Sequence, residues 1–130
     1  MRTHRLSDLD LVGGDKVLQE EPHFDFHRID RVRAVLIDFE EELVGTVVTL
    51  TLEYRGERGR YALTLRLEGI SQLVLPEIGP LLQLGEVEID DLSERRLEGI
   101  RFEVVAHFDR SFRCLCRNVR IVDFVKLQGL

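Results

Sequence analysis

The sequence predicts a mainly β fold of the β-rich α+β class. About eight antiparallel strands are expected to form a sandwich or a strongly curved sheet, with a short N-terminal helix or irregular lead-in. Apolar and polar residues alternate with a period of two at 61–67, 48–54 and 100–108, which indicates strands because their side chains alternate between faces. A chain of 130 residues, 44% hydrophobic and 32% charged, has the size and composition of one domain, 1–130.

The first part of the chain, 1–32, is predicted to be a lead-in that packs on the sheet. Its apolar residues are irregularly spaced, with Ser7 as a helix N-cap and the pair Gly13 and Gly14 as a break. A second short turn is expected around 16–20. Pro22 then favours extended backbone, because its ring disfavours helical angles at the preceding residue.

The region 33–125 is predicted to supply the antiparallel strands. The first two, 33–40 and 45–55, are followed by a hairpin at 54–61, in which Gly56 and Gly59 would supply the positive φ angles of a tight turn. The next strand ends near Gly69, which is expected to form a bend or bulge, and the chain resumes as a strand at 71–75.

The second half of the chain is expected to contain four more strands. Pro76 and Pro80 predict a loop over 75–84, because proline is excluded from central strands. Strands are predicted at 86–90, 100–108, 112–116 and 119–125. Cys114 and Cys116 would share one strand face and are interpreted as small buried apolar residues.

Charge and hydropathy exclude several function classes. The net charge is −6, which disfavours nucleic-acid binding because phosphate recognition normally requires a basic surface. No apolar stretch approaches the roughly 20 residues of a membrane span, and the N-terminus has no apolar region typical of a secretion signal. We therefore expect a cytoplasmic protein without a membrane partner. The motifs of nucleotide-binding loops, serine hydrolases and zinc proteases are absent from the sequence.

A metal site is one hypothesis for the segment 23–27. If this segment is extended, His23, Asp25 and His27 lie on one face and two phenylalanines lie on the other. Two imidazoles and a carboxylate are suitable ligands for zinc or non-haem iron. The same alternation also arises when the phenylalanines anchor a solvated strand in the core, so both interpretations stay open.

Two groups of acidic residues are candidates for binding a partner. The first, on the predicted strand 86–90, consists of Glu86, Glu88 and Asp90, and the second includes Asp38 and Glu40. Each is interpreted either as a solvated strand face or as a docking surface for a basic protein. Arg113, Arg117 and Arg120 form a basic group that would hold an anion or charge a sheet edge.

The chain also resembles a known family. The features that carry the resemblance are the glycine pair 13–14, the segment Pro22-His23-Phe24-Asp25-Phe26-His27, the segment 67–73 and the late Arg113-Cys114-Leu115-Cys116. In these features the chain is similar to small bacterial immunity proteins of polymorphic toxin systems. It departs from their pattern at Asp25 and in having no tryptophan. The resemblance implies a strand-rich, non-enzymatic protein that binds and neutralises a cognate toxin.

The sequence thus leaves three functional hypotheses. The first is a protein-binding module, in its most specific form an immunity-type inhibitor of a basic cognate partner. The second is a metal-binding protein or metal-dependent enzyme that uses His23, Asp25 and His27. The third is a structural homo-oligomer, in which open strand edges pair between copies.

Overall fold

Two antiparallel sheets carry most of the chain. The computed structural model describes residues 2–41, 45–75, 86–106 and 112–128. Nine strands lie in this part of the chain: β1 Arg2–Thr3, β2 Ile29–Glu41, β3 Gly45–Arg55, β4 Arg60–Glu68, β5 Gln72–Val74, β6 Val87–Asp91, β7 Phe102–Ala106, β8 Arg113–Cys116 and β9 Asn118–Lys126. One helix, α1 (Gly14–Glu20), and 3₁₀ turns at Leu6–Asp8, Phe26–Arg28 and Ser93–Arg95 complete it. The predicted β-rich class is confirmed.

The strand order gives one sheet of five strands and one of four. The five-stranded sheet has the order β1-β6-β7-β8-β5, and the four-stranded sheet has the order β2-β3-β4-β9. Every pairing between these strands is antiparallel. The core consists of side chains from both sheets and from the lead-in, as in a sandwich. Its largest fully buried members include Tyr54, Tyr61, Phe24 and Phe26.

The structure confirms the predicted hairpin at 54–61. Tyr54 pairs with Tyr61, and the N–H of Gly56 donates to the carbonyl of Gly59 over 2.8 Å. Only Gly59 has the expected positive φ, 147°. Gly56 is needed for another reason, since a Cβ there would lie 2.6 Å from the carboxyl carbon of Glu21. The turn is therefore built around a side chain that comes from the lead-in.

Glu21 is the most buried carboxylate of the described residues, 2% exposed. Its Oε1 accepts the N–H of Glu57 at 2.7 Å, and its Oε2 accepts the N–H of Arg58 at 2.9 Å and the hydroxyl of Tyr61 at 3.1 Å. These three hydrogen bonds satisfy a charge that would otherwise be very unfavourable in the interior. Glu21 thereby attaches the end of α1 to the hairpin.

Gly69 lies at one of the points where the chain passes from one sheet to the other. Its φ is 65°, a left-handed angle that favours glycine. The strand before it, β4, belongs to the four-stranded sheet, and β5 after it belongs to the five-stranded sheet. The expected bend is confirmed, and its effect is to connect the two layers of the sandwich.

The lead-in contains more strand than the sequence indicated. Arg2–Thr3 pairs with β6 as the edge of the five-stranded sheet, and β2 begins at Ile29, before the predicted start at Arg33. The pair Gly13 and Gly14 marks the start of α1, so the second predicted turn is confirmed as a helix. Residues 76–84 of the predicted loop and the end of the predicted strand, 107–108, lie outside the described residues.

Candidate functional site

Two histidines and one aspartate meet beside the edge of the five-stranded sheet. In His4, Asp25 and His27, one ligand atom from each side chain lies within 4.8 Å of the other two. Nδ1 of His4 is 2.8 Å from Oδ1 of Asp25, and the imidazole rings of His4 and His27 stack with centroids 4.1 Å apart. The side chains are 35%, 29% and 32% exposed, so the group opens to solvent on one side.

Backbone contacts hold this group in place. Asp25 is the N-cap of the 3₁₀ turn Phe26–Arg28, and its Oδ1 accepts the N–H of His27 at 2.8 Å. The N–H of Phe26 donates to the carbonyl of His4 over 2.7 Å. The N–H of Asp25 donates to the hydroxyl of the buried Tyr54 over 2.9 Å. The three side chains therefore sit on backbone that is tied both to the sheet edge and to the core.

Glu88 of β6 extends the group into a charged network on the outer face of the five-stranded sheet. Its Oε1 lies 3.2 Å from Nε2 of His27, and its Oε2 lies 4.0 Å from Nε of Arg2. Arg2 also donates to Glu103 over 2.7 Å, and Arg113 donates to the other oxygen of Glu103 over 2.6 Å. The two outer strands of this group, β1 and β8, thus contribute arginines, and β6 and β7 between them contribute the glutamates with which the arginines pair.

The structure separates His23 from the other two predicted metal ligands. Residues 23–27 do not form one strand, because Asp25 caps a 3₁₀ turn that begins at Phe26. The His23 side chain is 81% exposed and lies 3.5 Å from Glu57 at the hairpin. The predicted arrangement of three residues along one strand face is therefore wrong, although Asp25 and His27 do lie together. The third member of their group is His4.

The predicted acidic face of 86–90 is also different from a solvated row. Glu86 is exposed and has a φ of 53°, just before β6 begins. In contrast, the Glu88 side chain is 15% exposed and Asp90 is 9% exposed. The expectation of a solvated face is wrong for these two, because Arg2 and the neighbouring strands cover them. A role in partner binding stays a prediction for all three.

The second acidic group lies at the end of β2. Asp38 is exposed on this strand, and the side chain of Glu40 lies outside the described residues.

The three predicted basic residues are not one cluster of free charges: Arg113 pairs with Glu103, and Arg120 pairs with Glu68 at 2.7 Å. Arg117 begins the turn into β9, where its N–H donates to the carbonyl of Glu68 over 2.9 Å.

Strand β2 forms one of the two edges of the four-stranded sheet. Within the described ranges, β2 pairs with β3 only. Its register is regular over 34–38, and irregularities flank this stretch on both sides. Two large apolar side chains stand out here, Leu36 at 65% exposed and Phe39 at 74% exposed. A regular edge segment beside exposed apolar side chains is a surface suited to another strand.

Two buried groups of the core, Tyr54 and Cys116, have raised pKa values. Burial raises the pKa of Tyr54 to about 12. A hydrogen bond with Cys114, together with burial, raises the pKa of the Cys116 thiol. Both cysteines are fully buried, which confirms their interpretation as core residues. A thiol that stays protonated is a poor nucleophile, so Cys116 does not have the environment of a reactive cysteine.

Sequence reasoning missed His4 as a site residue. It lies 21 positions from Asp25, and no local spacing connects the two. The only available signal was Arg2-Thr3 as a short strand, and two residues are too few for an alternation to be visible.

Comparison of this chain with protein-family models, with curated proteins and with solved structures finds no significant match in any of the three. The resemblance to immunity proteins therefore stays a prediction. Among the described residues, no helix combines the length and apolar character needed to cross a membrane.

Proposed function

We propose that this protein is a non-enzymatic protein-binding module whose partner pairs with the open edge of β2. The observation that carries the proposal is the exposure of Leu36 and Phe39 on a strand that has hydrogen-bonded neighbours on one side only in the described part of the chain. An incoming strand would gain main-chain hydrogen bonds along 34–38 and cover these apolar side chains. This stretch has about the length of an average strand.

The most specific form of the proposal is an immunity-type inhibitor of a cognate bacterial toxin. Its support is the family resemblance of the sequence and the net charge of −6, which favours a basic partner. The exposed Asp38 lies on β2 between Leu36 and Phe39, next to the proposed contact. Glu88 and Glu103 contribute little to such a surface, because both already pair with arginines of this chain.

The test is co-expression with the product of the adjacent upstream gene. We expect toxicity of that product to be relieved, and the two proteins to form a complex that weakens as salt is added. Leu36→Lys and Phe39→Lys should each weaken the complex by about tenfold or more, since central apolar contacts dominate binding. Leu97→Lys is the matched control, because Leu97 is an exposed leucine outside β2.

Two results would contradict the proposal. If the neighbouring product is not toxic and forms no complex, the inhibitor form fails. If a complex forms but Leu36→Lys and Leu97→Lys weaken it equally, the protein binds its partner at another surface.

A second candidate function is self-assembly through the same edge. Both arginines of β2, Arg31 and Arg33, lie in its first half, where Asp30 is already paired with Arg60, and Asp38 lies in its second half. Antiparallel pairing of two copies about a two-fold axis places the arginines of each strand opposite the second half of the other. Light scattering of the isolated protein separates the two candidates: a dimer that Leu36→Lys dissociates favours self-assembly, and a monomer favours a different partner.

A further inference from the structure

We propose that His4, Asp25 and His27 form a binding site for one divalent transition-metal ion of the zinc type, with Glu88 as the residue that orients His27. The site is independent of the protein-binding role of β2. It joins the N-terminal strand to the 3₁₀ turn Phe26–Arg28 and to β6.

The distances within the group are close to those of a metal site. Around a tetrahedral zinc ion with bonds of about 2.0–2.1 Å to nitrogen, ligand atoms are about 3.4 Å apart. The candidate ligand atoms here lie within 4.8 Å of one another, and His4 Nδ1 and Asp25 Oδ1 are already 2.8 Å apart. Binding of one ion by all three therefore requires the ligand atoms that lie farthest apart to move closer together.

The donor set and its surroundings match what zinc requires. Two imidazoles and one carboxylate are three ligands that zinc or iron(II) accepts, and the partial exposure of all three side chains leaves a fourth position for water. Nε2 of His27 faces Oε1 of Glu88 at 3.2 Å. A carboxylate that accepts from one ring nitrogen leaves the other nitrogen unprotonated and orients it as a ligand.

In the structure, Nδ1 of His4 and Oδ1 of Asp25 lie at hydrogen-bond distance, 2.8 Å apart. A metal ion would take the place of this hydrogen bond and be coordinated by a lone pair of each atom, with the ring proton of the neutral imidazole carried by Nε2. The charge of the ion would also balance the carboxylates of Asp25 and Glu88, which lie on either side of His27.

The experiment uses the full chain, stripped with a chelator and then titrated with zinc chloride. We expect one zinc ion per chain by elemental analysis after gel filtration, and a melting temperature several degrees higher with saturating zinc. His4→Gln and His27→Gln should lower zinc affinity at least about 100-fold, and Glu88→Gln should lower it about 10- to 100-fold. His23→Gln is the matched control, since His23 is exposed and lies outside the group.

The zinc titration of the wild-type protein tests the proposed site even if a variant fails to fold. No bound zinc and no shift in the melting temperature would overturn the proposal. It would also be overturned if His23→Gln lowers zinc affinity as much as His4→Gln, with both variants folded by circular dichroism, because the ion would then bind at other surface histidines.

Discussion

Strands β2 and β6 look alike in the sequence, since each mixes aliphatic and acidic residues, but they have opposite surroundings in the fold. On β6, Glu88 lies near Arg2 and His27, and Asp90 is 9% exposed. Strand β2 is at a sheet edge and exposes Leu36 and Phe39. Similar rows of residues in the sequence therefore do not determine exposure, because strand pairing places basic side chains beside β6 and leaves two large apolar side chains of β2 at the surface.

The largest expected effect tests how strongly an internally satisfied carboxylate stabilises the fold. Glu21→Gln keeps the shape of the side chain but turns an amide nitrogen toward a donor, either the N–H of Glu57 or that of Arg58. We expect a loss of about 2–3 kcal/mol in the free energy of unfolding, measured by urea denaturation. Glu20→Gln, on the exposed neighbouring residue, should change it by less than about 0.5 kcal/mol. Equal losses in the two variants would contradict this account of the hairpin.

The next effect appears at alkaline pH and concerns Tyr54, the buried tyrosine whose hydroxyl accepts the N–H of Asp25. The pKa of Tyr54 is raised to about 12 in the folded state, so its hydroxyl loses its proton less readily in the folded chain than in the unfolded chain. Its contribution to the free energy of unfolding is therefore fully present below pH 10 and is lost as the pH rises towards 12. We expect the wild type to lose on the order of 2 kcal/mol between these values through this residue. Tyr54→Phe should flatten that part of the stability profile. It should also lower stability by about 1 kcal/mol at pH 7, since the N–H of Asp25 loses its acceptor. An unchanged slope above pH 10 would show that Tyr54 does not cause it.

A smaller effect is expected from the charged network on the outer face of the five-stranded sheet, to which Glu103 of β7 belongs. Glu103→Gln removes a carboxylate that accepts from both Arg2 and Arg113. Because the arginine side chains are 40% and 45% exposed, we expect a loss of only about 1 kcal/mol, which diminishes at high salt. Glu98→Gln, on an exposed turn, is the control. A loss that does not depend on salt would mean that packing, not charge, is what Glu103 contributes.

The smallest effect on stability is expected on β2, at the exposed side chain of Leu36. Leu36→Lys should change the free energy of unfolding by less than about 0.5 kcal/mol, because the side chain is 65% exposed. Thermal and urea denaturation of the isolated protein measure this. A loss above about 1.5 kcal/mol would show that Leu36 packs as a core residue does, and would remove it from the proposed binding edge.

Much of the strand architecture follows from the sequence. The alternation of 61–67 places Tyr61, Leu63, Leu65 and Leu67 in the core, and all four are buried. The hairpin and the bend at Gly69 were also predictable, because turn chemistry is local. Strand β1 was not, since two residues form a strand only when a sheet edge is there to receive them.

The candidate site shows the same division. In the sequence, residues 23–27 contain two phenylalanines with Asp25 between them and a histidine on either side. Both phenylalanines are buried, and Asp25 and His27 do lie together. The position of His4 beside them, and the turn of His23 away to Glu57, follow from contacts between distant parts of the chain. The physical reason is that alternation fixes which face a side chain takes along one strand. Which charges meet across a sheet edge depends instead on pairing between β1 and β6, more than 80 residues apart in the chain.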